Sequence, residues 1–257
     1  MTVENVLITG ASSGIGLELA KLFAADKSNL ILVARSADKL NALADSLRQQ
    51  HGIVAGVLVK DLAAPEAPQE LFDKLKRDGV TADVLVNNAG FGRRGPIAEV
   101  PLSLQLDMIQ VNVTALTALT RLFLPGMLAR NRGGILNVGS TAGFEPGPNM
   151  GVYYATKAYV LHYTEALAEE VRGTNLKVSC LAPGPTHTGF ADAAGMRSAR
   201  LFKLGAMSAA AVAKIGHRGF RRGKVVNVAG WRNWLLVESV RFAPRFLVRK
   251  ITKSLQE

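Results

Sequence analysis

Short apolar runs alternate with longer segments of helical periodicity along most of the chain. The apolar runs occupy residues 6–8, 30–33, 54–59, 84–86, 134–138, 176–181 and 224–228. They show little polar alternation, which predicts strands buried on both faces, and the helical segments between them predict parallel crossovers. The pattern therefore predicts an α/β fold, a three-layer, doubly wound parallel sheet in a single domain. A long helical region at about 104–130 is expected to bend at Pro125.

Four of the predicted strands are followed at once by residue types suited to ligand binding. These positions are Gly10, residues 87–90, Ser140 and Pro183-Gly184. The carboxyl ends of parallel strands lie at one edge of a sheet, and ligands bind there at the point where the strand order reverses. We therefore expect these four loops to form one site.

The first predicted strand leads into a glycine-rich turn at residues 9–16, after which helical spacing begins. Glycines at 10, 14 and 16 let the chain turn sharply and let a pyrophosphate approach the amides at a helix N-terminus. Glycine trios are common, but a position between a first strand and a first helix favours a dinucleotide site. The residues expected to contact the dinucleotide here are Gly10, Ser12, Ser13, Gly14, Ile15 and Gly16.

The end of the second predicted strand indicates which dinucleotide is bound. An acid there favours a free ribose 2′-hydroxyl, whereas an arginine favours a 2′-phosphate. Arg35 can bind a phosphate through two charge-assisted hydrogen bonds, Ser36 adds a hydroxyl, and no carboxylate follows before Asp38. We therefore predict NADP(H) as the cofactor in preference to NAD(H). The alternative is that Arg35 is only a solvated loop residue.

Tyr153 and Lys157 are four residues apart in a segment predicted to be helical. Residues i and i+4 of a helix project from one face, so the ammonium can lie beside the phenol. A nearby positive charge favours phenolate and lowers a pKa that is ordinarily about 10. We therefore expect Tyr153 to act as a general acid or base, with Lys157 lowering its pKa. Tyr154 is the alternative, because i and i+3 are also neighbours.

These features occur together in an order that resembles the short-chain dehydrogenase/reductase family. The matching positions are residues 9–16 and 87–90, Asn112, Ser140, the pair Tyr153 and Lys157, and Pro183-Gly184. The resemblance covers about residues 4–190. It implies a single-domain, Rossmann-like fold and nicotinamide-dependent redox chemistry of the carbonyl reductase or alcohol dehydrogenase type. Together with Arg35, this predicts an NADP(H)-dependent oxidoreductase. One departure is Ser12-Ser13, where many NADP-preferring relatives carry a basic residue.

The resemblance also implies a role for each matching residue. Tyr153 would give a proton to the substrate oxygen, Lys157 would also hold the nicotinamide ribose, and Ser140 would orient the carbonyl. Asn112 would hold a water that relays protons to Lys157. The other implied cofactor contacts are Asp61 and Leu62, then Asn88, Ala89 and Gly90, and finally Pro183, Gly184, Thr186 and Thr188. A homodimer or homotetramer is implied as well.

Apolar residues in the loops near the predicted site indicate a small-molecule carbonyl or alcohol substrate with a largely apolar body. They are Phe91, Phe144, Met150, Phe190, Met196, Leu201 and Phe202. An acyl, alicyclic or aromatic carbonyl compound suits such a pocket. Residues 186–207 are interpreted as a substrate loop, either a lid that orders on binding or an irregular surface loop. The rival to an enzyme is a non-catalytic NADP(H) sensor on the same fold.

The formal net charge of +11 lies in the last quarter of the chain. Residues 1–192 hold 17 basic and 18 acidic residues, whereas residues 193–257 hold 14 basic and 2 acidic ones. We predict a catalytic domain at 1–230 and a basic amphipathic extension at 231–257. The apolar face of that extension is expected to comprise Leu247, Val248, Ile251 and Leu255. It suits an anionic membrane surface, the substrate site or another subunit, and we expect no nucleic-acid binding.

The remaining composition bears on compartment and redox chemistry. The single cysteine, Cys180, excludes an internal disulfide, and its apolar neighbours indicate a buried strand residue. The amino terminus has no basic leader before an apolar segment, and no uninterrupted apolar run reaches the length needed to cross a bilayer. We therefore expect a cytoplasmic protein without a signal peptide.

Overall fold

Seven parallel strands form the central sheet of the computed structural model, which describes residues 3–196 and 205–256. The strands are β1 (Asn5–Thr9), β2 (Asn29–Ala34), β3 (Ala55–Val59), β4 (Val84–Asn87), β5 (Gly134–Val138), β6 (Lys177–Ala182) and β9 (Val226–Val228). Across the sheet their order is β3-β2-β1-β4-β5-β6-β9. Two short strands, β7 (Thr186–His187) and β8 (Met207–Ser208), pair separately in parallel.

Helices connect the strands and cover both faces of the sheet. The helices are α1 (Gly14–Ala25), α2 (Ala37–His51), α3 (Ala67–Arg77), α4 (Leu102–Ile109), α5 (Leu116–Arg130), α6 (Gly151–Glu170), α7 (Phe190–Ala193), α8 (Ala209–Arg221), α9 (Trp231–Phe242) and α10 (Arg245–Gln256). A π-helical turn (Gln110–Ala115) joins α4 to α5, and a 3₁₀ turn (Thr141–Phe144) follows β5. The strand order reverses between β1 and β4. The predicted three-layer, doubly wound α/β fold is confirmed.

Alternate residues of each strand face opposite helical layers, which explains the lack of polar alternation. In β1, Val6 and Ile8 pack in the core beside α1, α2 and α8, whereas Leu7 packs in the core beside α3 and α5. All three are fully buried, and burial of each such side chain contributes about 1.5–3 kcal/mol to the stability of the folded state. Helices cover both faces of the sheet, so a ligand can reach it only at an edge. In such folds the ligand binds among the loops at the carboxyl ends of the strands.

The long helical region contains a π-helical turn that the sequence pattern did not indicate. Helix α5 continues through Pro125, and α-helical geometry is interrupted instead by the π-helical turn Gln110–Ala115. Such turns are frequent at functional sites. By length and composition, Leu102–Arg130 is also apolar enough to cross a membrane, with 39% of its most apolar window buried inside the protein. Core helices of soluble proteins pass the same test, and this helix is not an uninterrupted apolar run, because Asp107 and Arg121 lie within it.

Helices α9 and α10 both lie against the segment that follows β5. Helix α9 contacts the 3₁₀ turn, and Thr252 of α10 hydrogen-bonds to Glu145, the residue after that turn. Of the residues predicted to share the apolar face of α10, Val248 is buried, whereas Leu247 and Ile251 are exposed. The buried stripe consists of Val248 and Thr252 instead. The four predicted residues share one face of the helix, but the protein covers only part of that face.

Candidate active site

The loops after β1, β4, β5 and β6 surround one cleft of about 730 Å³ at the carboxyl edge of the sheet. This convergence matches the sequence prediction. The predicted site residues that line the cleft are Gly10, Ser12, Ser13, Gly14, Ile15, Arg35, Ser36, Asp61, Leu62, Asn88, Ala89, Gly90, Ser140, Tyr153, Lys157, Pro183, Gly184, Thr186 and Thr188. The two others, Gly16 and Asn112, are not among the lining residues that the structure describes. Gly16 lies against Gly10 and Asn88, and Asn112 lies against Gly90.

The glycine turn packs so closely on itself and on the loop after β4 that positions 10 and 16 have no room for a side chain. A Cβ on Gly16 would lie 2.4 Å from the Gly10 carbonyl oxygen and 2.4 Å from Asn88 Nδ2. Gly10 and Gly14 have φ angles of +65° and +55°, which glycine adopts readily. Because α1 begins at Gly14, the turn presents helix N-terminal amides and the positive end of the helix dipole. The turn therefore fits a phosphate group.

Asn88 ties the glycine turn to the sheet. Its Nδ2 donates to the carbonyl oxygens of Thr9 and Gly10 at 2.8 and 3.2 Å. In return, the Thr9 hydroxyl accepts from the backbone amides of Asn88 and Ala89 at 3.0 Å each. Movement of either loop therefore breaks several hydrogen bonds, and the phosphate-binding turn is held in one position relative to β4.

Three cations line the end of the cleft beside α2. Arg35 follows β2, Lys39 lies in the first turn of α2, and Lys60 follows β3. The Arg35 side chain is 78% exposed, and its Nη1 lies 3.8 Å from Asp61 Oδ2, which is too long for a hydrogen bond. Lys60 pairs with Glu70 at 2.5 Å. A group of positive charges facing solvent at this point suits a phosphate dianion.

At the other end of the cleft the Ser140 hydroxyl lies close enough to the Tyr153 phenol to lower its pKa, and Ser140 Oγ donates to the Pro183 carbonyl oxygen at 3.4 Å. Ser140 is oriented by the 3₁₀ turn, because its Oγ accepts from the Ala142 amide at 3.1 Å. Lys157, one turn after Tyr153 on α6, donates to the Val138 carbonyl oxygen at 2.8 Å. The Lys157 Nζ lies 5.8 Å from the centroid of the Tyr153 ring. The three residues predicted from the sequence, Ser140, Tyr153 and Lys157, therefore lie together at this end of the cleft.

Burial shifts the pKa values of both titratable groups in this trio. Burial raises the pKa of Tyr153 to about 12, and the Ser140 hydroxyl opposes that shift. Burial lowers the pKa of Lys157 to about 8. The expectation that Lys157 brings the Tyr153 pKa below its ordinary value was wrong for this structure, because removal of the phenol from water dominates. At neutral pH the phenol therefore keeps its proton and can donate it to a bound oxygen.

Asn112 supports the site from the π-helical turn. Its Nδ2 donates to the Phe91 carbonyl oxygen at 2.9 Å and to the Thr156 hydroxyl at 3.1 Å, and its Oδ1 accepts from the Phe91 amide at 3.1 Å. A Cβ on Gly90 would lie 3.0 Å from Asn112 Oδ1 and 3.5 Å from Lys157 Nζ. The side chain therefore fixes the loop after β4 against α6. Its role in holding a water stays a prediction.

Apolar side chains surround the Tyr153 end of the cleft. Of the residues predicted there, Phe91, Met150, Phe190 and Met196 line it, and the centroids of the Phe190 and Tyr153 rings are 5.3 Å apart. Phe144, at the end of the 3₁₀ turn, is not among the lining residues described. Leu201 and Phe202 lie outside the described residues, as does the stretch 197–204 of the predicted substrate loop.

The loop after β6 reaches from this apolar end to the glycine turn. Thr186 is buried, and its hydroxyl donates to the Gly184 carbonyl oxygen at 2.9 Å. A Cβ on Gly14 would lie 3.1 Å from Thr188 Cγ2, so Thr188 stands beside the phosphate-binding turn. The loop therefore brings both predicted threonines to the cleft.

The sequence reasoning missed several side chains that line the cleft. Among them are Lys39 and Lys60 at the α2 end and Asp107 on α4. Lys39 was detectable, because it lies four residues after Arg35 at the start of a predicted helix. Lys60 was detectable from its position next to Asp61. Asp107 carries no such signal, since an acid on a helix is ordinarily solvated.

Comparisons with known proteins agree with this geometry. A family model described as short chain dehydrogenase matches residues 4–198. The very-long-chain 3-oxoacyl-CoA reductase of Phaeosphaeria nodorum is 37% identical over 181 residues, which are 68% of this chain and 52% of that protein. A short-chain dehydrogenase from Sphingobium yanoikuyae in complex with NADPH has a TM-score of 0.84 and 32% identity, covering 93% of this chain and 94% of that one. The bulky-bulky ketone specific alcohol dehydrogenase from Comamonas testosteroni has a TM-score of 0.79 and 28% identity, covering 94% and 93%.

The extent of these matches differs between the two kinds of relative. The chain spans about half the length of the Phaeosphaeria nodorum reductase but nearly all of both solved structures. The stretch matched by the family model runs from β1 into the loop after β6 and includes every residue of the predicted site. On the family match, the parallel sheet and the convergent loops, the chain belongs to the short chain dehydrogenase family of oxidoreductases.

Proposed function

We propose that the protein transfers hydride between NADP(H) and the carbonyl or secondary alcohol carbon of a largely apolar substrate. One observation carries the proposal: a glycine turn suited to phosphate and the three side chains Ser140, Tyr153 and Lys157 line the same cleft. The tight packing of the glycine turn fits the pyrophosphate of a dinucleotide, and the trio at the other end fits a carbonyl oxygen.

Reduction of a carbonyl leaves negative charge on its oxygen, and the residues of the trio counter that charge. When bound, the reduced nicotinamide supplies the hydride. The Ser140 hydroxyl donates a hydrogen bond to the substrate oxygen and stabilises the charge as it develops. Tyr153 gives its proton to the same oxygen. The Lys157 ammonium, 5.8 Å from the ring, stabilises the phenolate that remains.

The raised pKa of Tyr153 sets the protonation state of the free protein at neutral pH. Since burial raises the pKa of Tyr153 to about 12, the free protein holds the phenol in the protonated form that reduction needs. Oxidation of an alcohol needs the phenolate as a base, and its formation at pH 7 is costly at that pKa. The free protein is therefore in the protonation state that carbonyl reduction uses.

The cations at the α2 end support NADP(H) as the cofactor. In the sequence, Arg35 is almost the only residue that favours NADP(H). In the structure, Lys39 and Lys60 line the same end of the cleft as Arg35. The Arg35 side chain is exposed and at most weakly paired with Asp61, so it is available to a 2′-phosphate. The similar Sphingobium yanoikuyae dehydrogenase was solved with NADPH.

The apolar end of the cleft supports a bulky carbonyl substrate. Phe91, Met150, Phe190 and Met196 provide an apolar surface beside the proton donor. Two relatives bear names consistent with this class: one is a reductase of very-long-chain 3-oxoacyl-CoA, and the other is specific for bulky-bulky ketones. We therefore propose 3-oxoacyl thioesters and ketones with two large substituents as the substrate classes to examine first.

A substrate screen tests the proposed function. Purified protein is mixed with NADPH and a panel of 3-oxoacyl thioesters and bulky ketones, and the loss of NADPH absorbance is followed. We expect at least one ketone to be reduced, and NADH to be a poorer hydride donor with the same ketone. NADPH binding without oxidation across the panel would favour the non-catalytic sensor instead.

Replacing Arg35 with leucine is expected to reduce the preference for NADPH. Loss of a charge-assisted hydrogen bond costs about 1.5–3 kcal/mol, so kcat/KM for NADPH should fall about tenfold or more. The value for NADH should change little, because NADH carries no 2′-phosphate. The measurement is kcat/KM with both cofactors. Arg77→Leu on α3 is the control, and an equal loss with both cofactors would contradict the assignment.

A further inference from the structure

Helix α9 buries one stripe and turns an apolar face away from the protein. Val237 is buried, and its position is well separated around the helix from Trp231, Leu235 and Phe242. At about 100° per residue, those three lie within about 40° of one another. They are 69%, 50% and 87% exposed. Adjacent large apolar side chains at such exposure mark an interaction site rather than an ordinary surface.

Helix α10 turns a basic face outward. Val248 and Thr252 are buried against the protein, and Phe246, which is 58% exposed, lies on the far side of the helix. Three cations, Arg249, Lys250 and Lys253, fall within about 60° of Phe246 at 100° per residue. The outer face of α10 therefore carries one aromatic ring among three positive charges.

The two outward faces belong to one region of the surface. Helix α9 contacts the 3₁₀ turn Thr141–Phe144, and Thr252 of α10 hydrogen-bonds to Glu145 immediately after it. Only two residues separate the helices. Both therefore cover the same side of the molecule, next to the segment that positions Ser140.

This region has a strong excess of positive charge. Residues 231–256, which the structure describes, contain six basic residues and one acidic residue, Glu238. Glu238 lies 3.2 Å from Arg241, so its charge is already matched. A second copy of the same surface would bring like charges together. The charge therefore favours an anionic partner over self-association.

We propose that the outward surface of α9 and α10 binds an anionic lipid bilayer. We call this surface the docking face; it comprises Trp231, Leu235, Phe242, Phe246, Arg249, Lys250 and Lys253. Tryptophan and phenylalanine side chains partition into the interfacial region of a bilayer, and lysine and arginine attract anionic headgroups. The two helices would lie in the plane of the interface, since their opposite stripes remain packed on the protein.

Docking in this orientation brings the apolar end of the cleft close to the lipid. The docking helices rest on residues 141–145, and Ser140 and Thr141 line the cleft. An apolar carbonyl compound dissolved in the bilayer would then lie near the site. The bilayer proposal itself does not depend on the proposed activity, because binding is measured without substrate.

Intrinsic fluorescence tests the proposal on the unmodified protein. Both tryptophans of the chain, Trp231 and Trp234, lie in α9. We expect their emission to shift to shorter wavelength on addition of vesicles of phosphatidylcholine mixed with phosphatidylglycerol, and to change little with phosphatidylcholine alone. Co-sedimentation should likewise show stronger binding to the vesicles that contain phosphatidylglycerol than to phosphatidylcholine alone. Binding should weaken as the salt concentration is raised.

Two variants separate the charge from the apolar contacts. The triple change Arg249→Gln, Lys250→Gln and Lys253→Gln should weaken binding to the anionic vesicles about a hundredfold. Phe242→Ala should also weaken it, and since the ring is exposed the fold should be unaffected. The matched control is Lys74→Gln, Lys76→Gln and Arg77→Gln on α3. Helix α3 follows the edge strand β3, and β3 lies at the opposite end of the sheet from β9. The control variant should bind as the unmodified protein does.

Three results would overturn the proposal. One is the absence of both the emission shift and co-sedimentation at physiological salt. Another is an equal loss of binding in the α3 control, which would indicate non-specific attraction of the whole protein. The third is a dimer, detected by sedimentation equilibrium, that Phe242→Ala dissociates, because the docking face would then be covered by a second copy.

Discussion

Tyr153→Phe is expected to lower kcat for carbonyl reduction by about two to four orders of magnitude. The substitution removes the proton that the substrate oxygen needs, while the ring keeps its contact with Phe190. The affinity for NADPH should change little, because the glycine turn and the Arg35 end of the cleft are untouched. Steady-state kinetics and a fluorescence titration with NADPH measure the two quantities separately.

Tyr154→Phe is the matched control for this change. Both tyrosines line the cleft and both are buried, and Tyr153 is the one that lies one helical turn before Lys157, with Lys157 Nζ 5.8 Å from its ring centroid. We expect Tyr154→Phe to retain most of the activity. If it lost as much as Tyr153→Phe, or if Tyr153→Phe kept substantial turnover, the assignment of the proton donor would be wrong.

Gly16→Ala is expected to weaken both dinucleotide binding and the fold. The added Cβ would lie 2.4 Å from the Gly10 carbonyl oxygen, so the turn must open. Overpacking of this kind costs about 1–3 kcal/mol in the free energy of unfolding. Because the same movement displaces the amides that would hold the pyrophosphate, the Kd for NADPH should rise about ten- to a hundredfold. Urea unfolding and NADPH titration check the two effects.

Gly56→Ala in β3 provides the comparison. A Cβ at this position would have its nearest heavy atom, the Leu30 carbonyl oxygen, at 3.9 Å, which is ordinary van der Waals contact. We expect no measurable rise in the Kd for NADPH and no measurable fall in the free energy of unfolding. Equal effects of the two substitutions would mean that the close packing of the glycine turn is not what the cofactor requires.

The strands and the convergent loops could be predicted because their signals are local. Both faces of β1 are buried, so its residues are apolar without alternation, and the same holds for the other central strands. A parallel sheet with helical crossovers then has one edge at which the loops after strands must meet. Gly10, Asn88 and Ser140 were assigned to one cleft by that argument.

The electrostatics of the site could not be predicted in the same way. A lysine one turn from a tyrosine indicated a lowered phenol pKa, but the structure buries both side chains and raises the pKa of Tyr153 to about 12. Desolvation depends on every element packed around a group, and spacing along one helix does not report it.

The amphipathic tail shows the same limit. Periodicity placed Leu247, Val248 and Ile251 on one face of α10, and the helix itself is present as predicted. Its rotation about its own axis is decided by contact with the protein, which buries Val248 and Thr252 and leaves Leu247 and Ile251 exposed.

By itself, the sequence determined the strand pattern, the order of the candidate catalytic residues and the basic character of residues 231–257. These depend on residue type and on spacing over a few turns of chain. Tertiary structure alone decided how burial sets the pKa values of Tyr153 and Lys157, and which aromatic side chains of α9 remain exposed. Burial and distance arise from contacts between residues far apart in the chain, such as Ser140 with Tyr153 or Glu145 with Thr252, and periodicity does not encode them.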